Sequence, residues 1–103
     1  MVEINWTDQA LEDIESIAMY ISRDSKKYAA LQIDRFFEKA DILEFHPRIG
    51  RMVPEMNMPS VRELIEGNYR IIYRILSSKR IDILTVHNFA QKLIKRKLRS
   101  KRK

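Results

Sequence analysis

The spacing of apolar residues along the chain switches from a period of two to a longer period and back again. In "VEINWT", Val2, Ile4 and Trp6 alternate with Glu3 and Asn5, which predicts a short strand with one buried face. From Ala10 the repeat lengthens to three and four: Ala10, Leu11, Ile14, Ile17, Ala18 and Ile21 form one continuous helical stripe. Thr7 or Asp8 supplies a cap for the first free backbone N–H groups. Glu12, Asp13 and Glu15 are expected on the solvent face, near the end where the helix dipole favours acids. Asp24-Ser25 offers a break and a second cap. Ala29, Ile33, Phe36, Phe37, Ala40 and Leu43 then predict a second helix from Lys26 to Phe45, stopped by Pro47 and Gly50. The short link between the stripes predicts an antiparallel helical hairpin.

"HPRIGRMVPEMNMPS" contains all three prolines and one of the two glycines. It is expected to be an irregular connection with at most a short edge strand. Alternation returns in "VRELIE", "YRIIYRIL" and "RIDILTVH", which predict three strands. Gly67-Asn68 joins the first two as a tight hairpin turn, since both residue types tolerate positive φ. Ser77-Ser78-Lys79 joins the second and third. "NFAQKLIKRKLRSKRK" is expected to form a last, basic helix that docks through Phe89, Leu93 and Ile94. Helices followed by a run of strands indicate an α+β fold. The expected architecture is an N-terminal strand, an α-helical hairpin packed on one face of a small antiparallel sheet, and a C-terminal basic helix. Residues 1–103 form a single domain with a basic tail at 92–103.

The strand pattern raises a question of charge. In "YRIIYRIL", Tyr69, Ile71, Tyr73 and Ile75 point to one face and Arg70, Ile72, Arg74 and Leu76 to the other. The all-apolar face is expected to meet the helices. The face with two arginines is expected to be wet or to meet a partner, because an uncompensated buried guanidinium costs several kcal/mol. The alternative is that these arginines pair with Glu63 or Glu66, or only solubilise an open face. In a strict two-residue hairpin Arg62 lies opposite Tyr73, on the helix side. A bulge that carries Arg62 across to the other arginines is therefore expected.

Composition narrows the function classes. The chain has 103 residues, 45% hydrophobic and 33% charged, enough for one globular core. It has no cysteine, which excludes disulfides and thiolate metal sites and is compatible with a cytoplasmic location. No apolar run reaches the ~20 residues of a membrane span. "MVEINW" carries an acid and no apolar core, so it is not expected to be a signal peptide. The net charge of +6 is unevenly spread. Residues 1–47 have a balance of −5, residues 48–80 of +4, and residues 92–103 hold eight basic side chains and no acid. A basic tail is either a solvated terminus or an attraction for nucleic acid or an acidic protein segment.

His87 ends the last strand, where a histidine either holds a turn or moves a proton near neutral pH. His46, before Pro47, fits a helix C-terminus. Neither the two histidines nor Glu55 falls into HxxxH or HExxH spacing, so no metal site and no cofactor are expected. There is no glycine-rich phosphate loop and no nucleophile elbow. Tyr69 and Tyr73 lie on the expected core face and are poor candidates for base stacking.

Taken together and in order, "WTDQALEDIESIAMYI", "HPRIGRMVPE", "VREL", "GNYRIIYRI" and "IDILTVHNFAQ" resemble the RelE/ParE superfamily of toxins over about Ile4 to Leu93. The resemblance implies a helical hairpin on a small sheet and the toxin half of a type II toxin–antitoxin pair, with a cognate antitoxin protein as partner. It implies one of two targets. RelE-like members cut messenger RNA on the ribosome, whereas ParE-like members poison DNA gyrase. Carried over by position, Arg62 and Arg70 resemble the phosphate-binding arginines of one RelE-like branch, Glu55 its acidic residue and His87 its strand-end histidine. These four are catalytic candidates under the nuclease reading alone. Arg51, Arg62, Arg70 and Arg74 are the binding candidates. In that branch tyrosine follows the histidine, whereas here Asn88 and Phe89 follow; the lysine pair and C-terminal tyrosine of RelE itself are missing. The start of the first helix and the "YRIIYRI" strand look more ParE-like, and that side is favoured. A non-toxic basic nucleic-acid-binding module is the remaining alternative, supported by "KLIKRKLRSKRK".

Overall fold

The computed structural model describes residues 1–90. Strand β1 (Glu3–Trp6) leads into helix α1 (Asp8–Ser22), which pairs with helix α2 (Lys26–Asp41). A 3₁₀ turn at Ile42–Glu44 follows α2, so the second helix ends earlier than its apolar stripe predicts. Strands β2 (Arg51–Met52), β3 (Val61–Glu66), β4 (Tyr69–Ser77) and β5 (Arg80–Asn88) complete the order. The α+β class and the helical hairpin are as the apolar periods indicate. Asn88 belongs to β5 rather than to a helix, and the rest of the expected basic helix lies outside the described residues.

Both helices start at hydroxyl caps. Thr7 Oγ1 accepts from Ala10 N at 3.3 Å and Ser25 Oγ from Tyr28 N at 3.1 Å, each satisfying a donor that the helix leaves free. The buried Thr7 hydroxyl also donates to Ile83 O at 2.7 Å, which ties the start of α1 to β5.

The five strands form one sheet in the order β1-β5-β4-β3-β2. The sheet is mixed rather than antiparallel: β1 runs parallel to β5, with Glu3 beside Arg80 and Trp6 beside Ile83. No local turn sets the direction of β1, because its neighbour lies at the far end of the sequence. Glu3 N donates to Lys79 O and Val2 N to Glu44 O, fixing the strand at both sides.

Between hairpin and sheet lies the main core, with Ala10, Ile14, Phe36, Ala40, Leu43, Leu64, Ile71, Tyr73, Ile81, Ile83 and Val86 buried together. Trp6 packs on Phe37 with ring centroids 4.7 Å apart, and Phe36 meets Tyr69 edge-on at 5.3 Å. Tyr69, Ile71, Tyr73 and Ile75 thus face the helices, as the alternation requires.

The opposite face is not open. The segment 53–60 folds back over it, and Val53, Val61, Ile72 and Leu84 form a second, smaller core flanked by Met56. Val53 O accepts from both Met56 N and Asn57 N, and Asn57 turns with φ 48°. Asparagine tolerates that left-handed conformation better than most residues.

The expected bulge between β3 and β4 is absent. Their register runs unbroken from Val61–Arg74 to Glu66–Tyr69 across the turn, and Arg62 stands opposite Tyr73. Only Gly67, at φ 58°, is left-handed there, which matches a II′ rather than a I′ turn. The irregularities lie between β4 and β5 instead. Pairing jumps from Ile72–Thr85 to Tyr73–Ile83, passing over Leu84, and from Ile75–Ile81 to Ser77–Arg80, passing over Leu76. Arg62 escapes burial without a bulge by reaching past the short edge strand. Its guanidinium donates to Pro59 O at 2.9 Å, Gly50 O at 2.8 Å and Arg48 O at 3.3 Å.

Candidate functional site

Strict alternation and register decide which charged residues meet. On β3, Glu63 stands opposite Ile72 and so shares a face with Arg70; Glu66 stands opposite Tyr69 and shares the helix face. On β5, His87 stands opposite Arg70. The 53–60 segment brings Glu55 over the same spot. Arg70, Glu63, Glu55 and His87 therefore converge on the second face, beside the small core.

Arg70 is buried, at 6% exposure, which corrects the expectation of a wet arginine face. Its compensation is complete. Arg70 Nε donates to Glu63 Oε1 at 2.6 Å, while Nη1 and Nη2 donate to Glu55 Oε2 and Oε1 at 2.8 and 2.9 Å. The second oxygen of Glu63 accepts from Arg51, giving a ladder Arg51–Glu63–Arg70–Glu55. Arg70 Cζ also lies 5.8 Å from the Phe89 ring centroid. Of the alternatives open for Arg70, pairing with Glu63 is the one the fold adopts.

The electrostatics follow from these bonds. The Arg70 guanidinium, bonded to both oxygens of Glu55, holds that carboxyl down at about 2 against an ordinary 4.5. Burial opposes this, and Glu55's own backbone, the charge of Arg70 and nearby His87 add to it. Glu55 in turn raises the pKa of Arg70, against the opposing effect of burial and with further help from Glu63. His87 itself is buried at 3% exposure.

The structure thus brings together Glu55, Arg70 and His87 of the catalytic candidates and leaves Arg62 out. Arg62 binds backbone carbonyls on the helix side of the sheet. Among the binding candidates, Arg51 is largely exposed and joins the ladder at its outer end. Arg74 is half-buried opposite Asp82 on β5. Asp82 accepts from Asn5 at 3.1 Å and Arg80 at 3.0 Å, stitching β1 to β5.

Asp13 was expected in water on α1 and is instead buried. It accepts from Thr85 Oγ1, from Val86 N at 3.1 Å and from Gln9 Nε2 at 2.9 Å. Its neighbours Glu12 and Glu15 are exposed. Asp13 sits one turn below Gln9 and directly before Ile14 in the stripe, at the margin of the apolar face. The β4–β5 register break next to Thr85 accompanies this side-chain bond to a strand N–H. Asp13 also borders a groove of about 550 Å³ between α1 and the end of β5, together with Ser16, Ile17, Tyr20, Tyr69 and Asn88. This groove lies on the helix side, apart from the Arg70 cluster. Among the described residues no group of histidines and carboxylates is arranged to hold a metal, and no helix is long and apolar enough to cross a membrane.

Comparison with known proteins accords with this architecture. A solved structure, "Chromosomal ParDE TA system from P. aeruginosa", shares the fold with a TM-score of 0.69 at 24% identity, over 85% of this chain and 96% of that one. No curated protein matches. The family model described as "ParE toxin of type II toxin-antitoxin system, parDE" matches residues 4–93. With nearly all of its length inside that match, the chain belongs to the ParE toxin family of type II toxin–antitoxin systems.

Proposed function

We propose that the protein arrests bacterial growth by poisoning DNA gyrase, that a cognate antitoxin protein neutralises it, and that it acts in the cytoplasm. Family membership supports the toxin role. The observation that favours gyrase over messenger RNA is the state of Arg70. A ribonuclease of the RelE type needs a guanidinium available to the scissile phosphate, with a mobile proton nearby. Here every side of Arg70 is engaged by Glu63 and Glu55, and Arg62 is held elsewhere by three carbonyls. The proximity of Glu55, Arg70 and His87 supports the ribosome-dependent nuclease as a second reading. The two readings separate in vitro. Purified protein added to gyrase is expected to inhibit supercoiling and accumulate cleaved DNA. Added to translating ribosomes, it is expected to leave messenger RNA intact. Site-specific cleavage within A-site codons, with gyrase unaffected, would reverse the assignment. Co-expression of the product of the adjacent small reading frame is expected to restore growth.

A further inference from the structure

The ladder Arg51–Glu63–Arg70–Glu55 is unevenly exposed. The side chains of Glu63 and Arg70 are 0% and 8% exposed, whereas that of Glu55 is 43% exposed. Glu63 and Arg70 are held by paired strands. Glu55 reaches Arg70 from the surface segment 53–60. Its carboxylate takes two parallel bonds from the Arg70 fork, a geometry that any carboxylate can reproduce.

Charge indicates what else fits there. Setting Glu55 aside, Arg51, Glu63 and Arg70 leave one net positive charge, with the fork facing the place of the half-exposed Glu55 carboxylate and Phe89 beside it. That balance suits a monoanion. A phosphate dianion places a second negative charge near the buried Glu63 carboxylate, and like charges at short range in a low-dielectric site are costly. A planar carboxylate matches both the charge and the fork.

We propose that Glu55 is the resident occupant of a carboxylate-binding site, and that an acidic side chain of a protein partner takes its place on Arg70 in the complex. The proposal rests on the reading that the protein has a proteic partner. The exchange keeps Arg70 fully bonded while Glu55 moves into water, so neither buried charge is stranded. It also couples partner binding to displacement of the 53–60 segment from the second core.

The test uses the full chain carrying Glu55→Ala, titrated with sodium acetate against sodium chloride at matched ionic strength. The Arg70 Nε–Hε resonance is followed by NMR, and Tm is recorded alongside. Acetate is expected to shift the resonance saturably and to raise the Tm of the variant. The wild type is expected to need roughly tenfold more acetate or beyond, because the tethered Glu55 competes at a high effective concentration. Dimethyl phosphate, which carries the single charge of a nucleic-acid backbone phosphate on less basic oxygens, is expected to bind the variant more weakly than acetate at equal ionic strength. Absence of a saturable shift in a folded variant, an equal response in wild type, or an equal response to chloride would overturn the proposal. Tighter binding of dimethyl phosphate than of acetate would also overturn it and point to a nucleic-acid backbone. If Glu55→Ala does not fold, Glu55→Gln keeps the volume and carries the same expectations. Growth arrest is not read in this experiment, so its failure leaves the toxin reading standing, and a non-toxic protein leaves this titration unaffected.

Discussion

Glu63 and Arg70 bury opposite charges side by side on one face of the sheet, with Arg70 Nε 2.6 Å from Glu63 Oε1 and the Glu63 side chain wholly out of solvent. Truncating one member of such a pair strands the other, at a typical cost of roughly 3–5 kcal/mol. Arg70→Met leaves the wholly buried Glu63 with only the exposed Arg51, and is therefore expected to lower stability in urea unfolding by about that amount. Replacing both members, as Glu63→Leu with Arg70→Met, is expected to recover much of the loss. A double variant no more stable than Arg70→Met would mean that the ladder contributes beyond charge compensation.

Glu55 gives the fold an acid-sensitive contact. Its pKa is depressed to about 2 in the folded protein against an ordinary 4.5. The stabilisation is complete above the ordinary value and is lost as pH falls from 4.5 towards 2. Because the side chain is 43% exposed, solvent screening reduces the contribution to about 1 kcal/mol. Glu55→Gln is expected to melt below wild type at pH 7, and the gap should close across that acidic window. A gap that stays constant down to pH 2 would show that the Arg70 contact does not depend on charge.

How much of this was legible in the sequence depended on whether a residue's partner was local. The stripes at Ala10–Ile21 and Ala29–Leu43 marked the helical hairpin, and Thr7 and Ser25 are caps where the pattern placed them. The face assignment of Tyr69 to Ile75 followed from alternation alone. The direction of β1 did not, since its partner β5 is set by tertiary pairing. The second core was hidden because "MVPEMNMPS" has no period, and only folding brings Val53 onto Ile72 and Leu84. The strict hairpin register places Arg62 opposite Tyr73, as the structure does; a bulge is needed only if an arginine on that face must be buried. Near an edge only two residues long, a long side chain simply leaves the face.

Gly50 is required for close approach. A Cβ there would stand 2.6 Å from both Glu63 O and Tyr73 Oη. Gly50 N donates to Tyr73 Oη at 3.0 Å, and that hydroxyl donates to Pro47 O at 2.8 Å. Gly50→Ala is expected to cost ~1–3 kcal/mol, in the range of overpacked sites. Adding Tyr73→Phe should not restore stability, because the Glu63 carbonyl belongs to a paired strand and cannot withdraw. Recovery in the double variant, measured by urea unfolding, would show that the hydroxyl alone is the obstacle.

Asp13 fastens α1 to β5 through Thr85 Oγ1 and Val86 N, directly before the strand end that carries His87. Asp13→Ala removes the acceptor for a buried hydroxyl and a buried strand N–H. Each such orphaned group costs about 1–3 kcal/mol. Thr85→Val removes the hydroxyl donor but leaves Val86 N bonded, so it is expected to be the milder change. Amide hydrogen exchange at Val86 should rise in Asp13→Ala and remain protected in Thr85→Val. Equal protection in both would place the anchor of this strand elsewhere.

His87 separates the two readings of the toxin because it is buried against Arg70 on the face where Glu55 also reaches. A general acid or base contributes typically ~10²–10⁴-fold to rate, so a nuclease that depends on His87 should lose nearly all cleavage in His87→Gln. Glutamine keeps a polar side chain of similar reach but does not titrate. A gyrase poison moves no proton, and the same change should cost it only the local contacts of the ring. The His87→Gln protein is therefore expected to keep arresting growth and to keep inhibiting supercoiling, with a Tm close to wild type. Measuring Tm beside toxicity is what gives the result meaning. Messenger RNA cleavage by wild type that is lost in the variant at an unchanged Tm would assign His87 to the reaction and favour the nuclease, whereas loss of toxicity together with a lowered Tm would show that the ring holds the end of β5 in place.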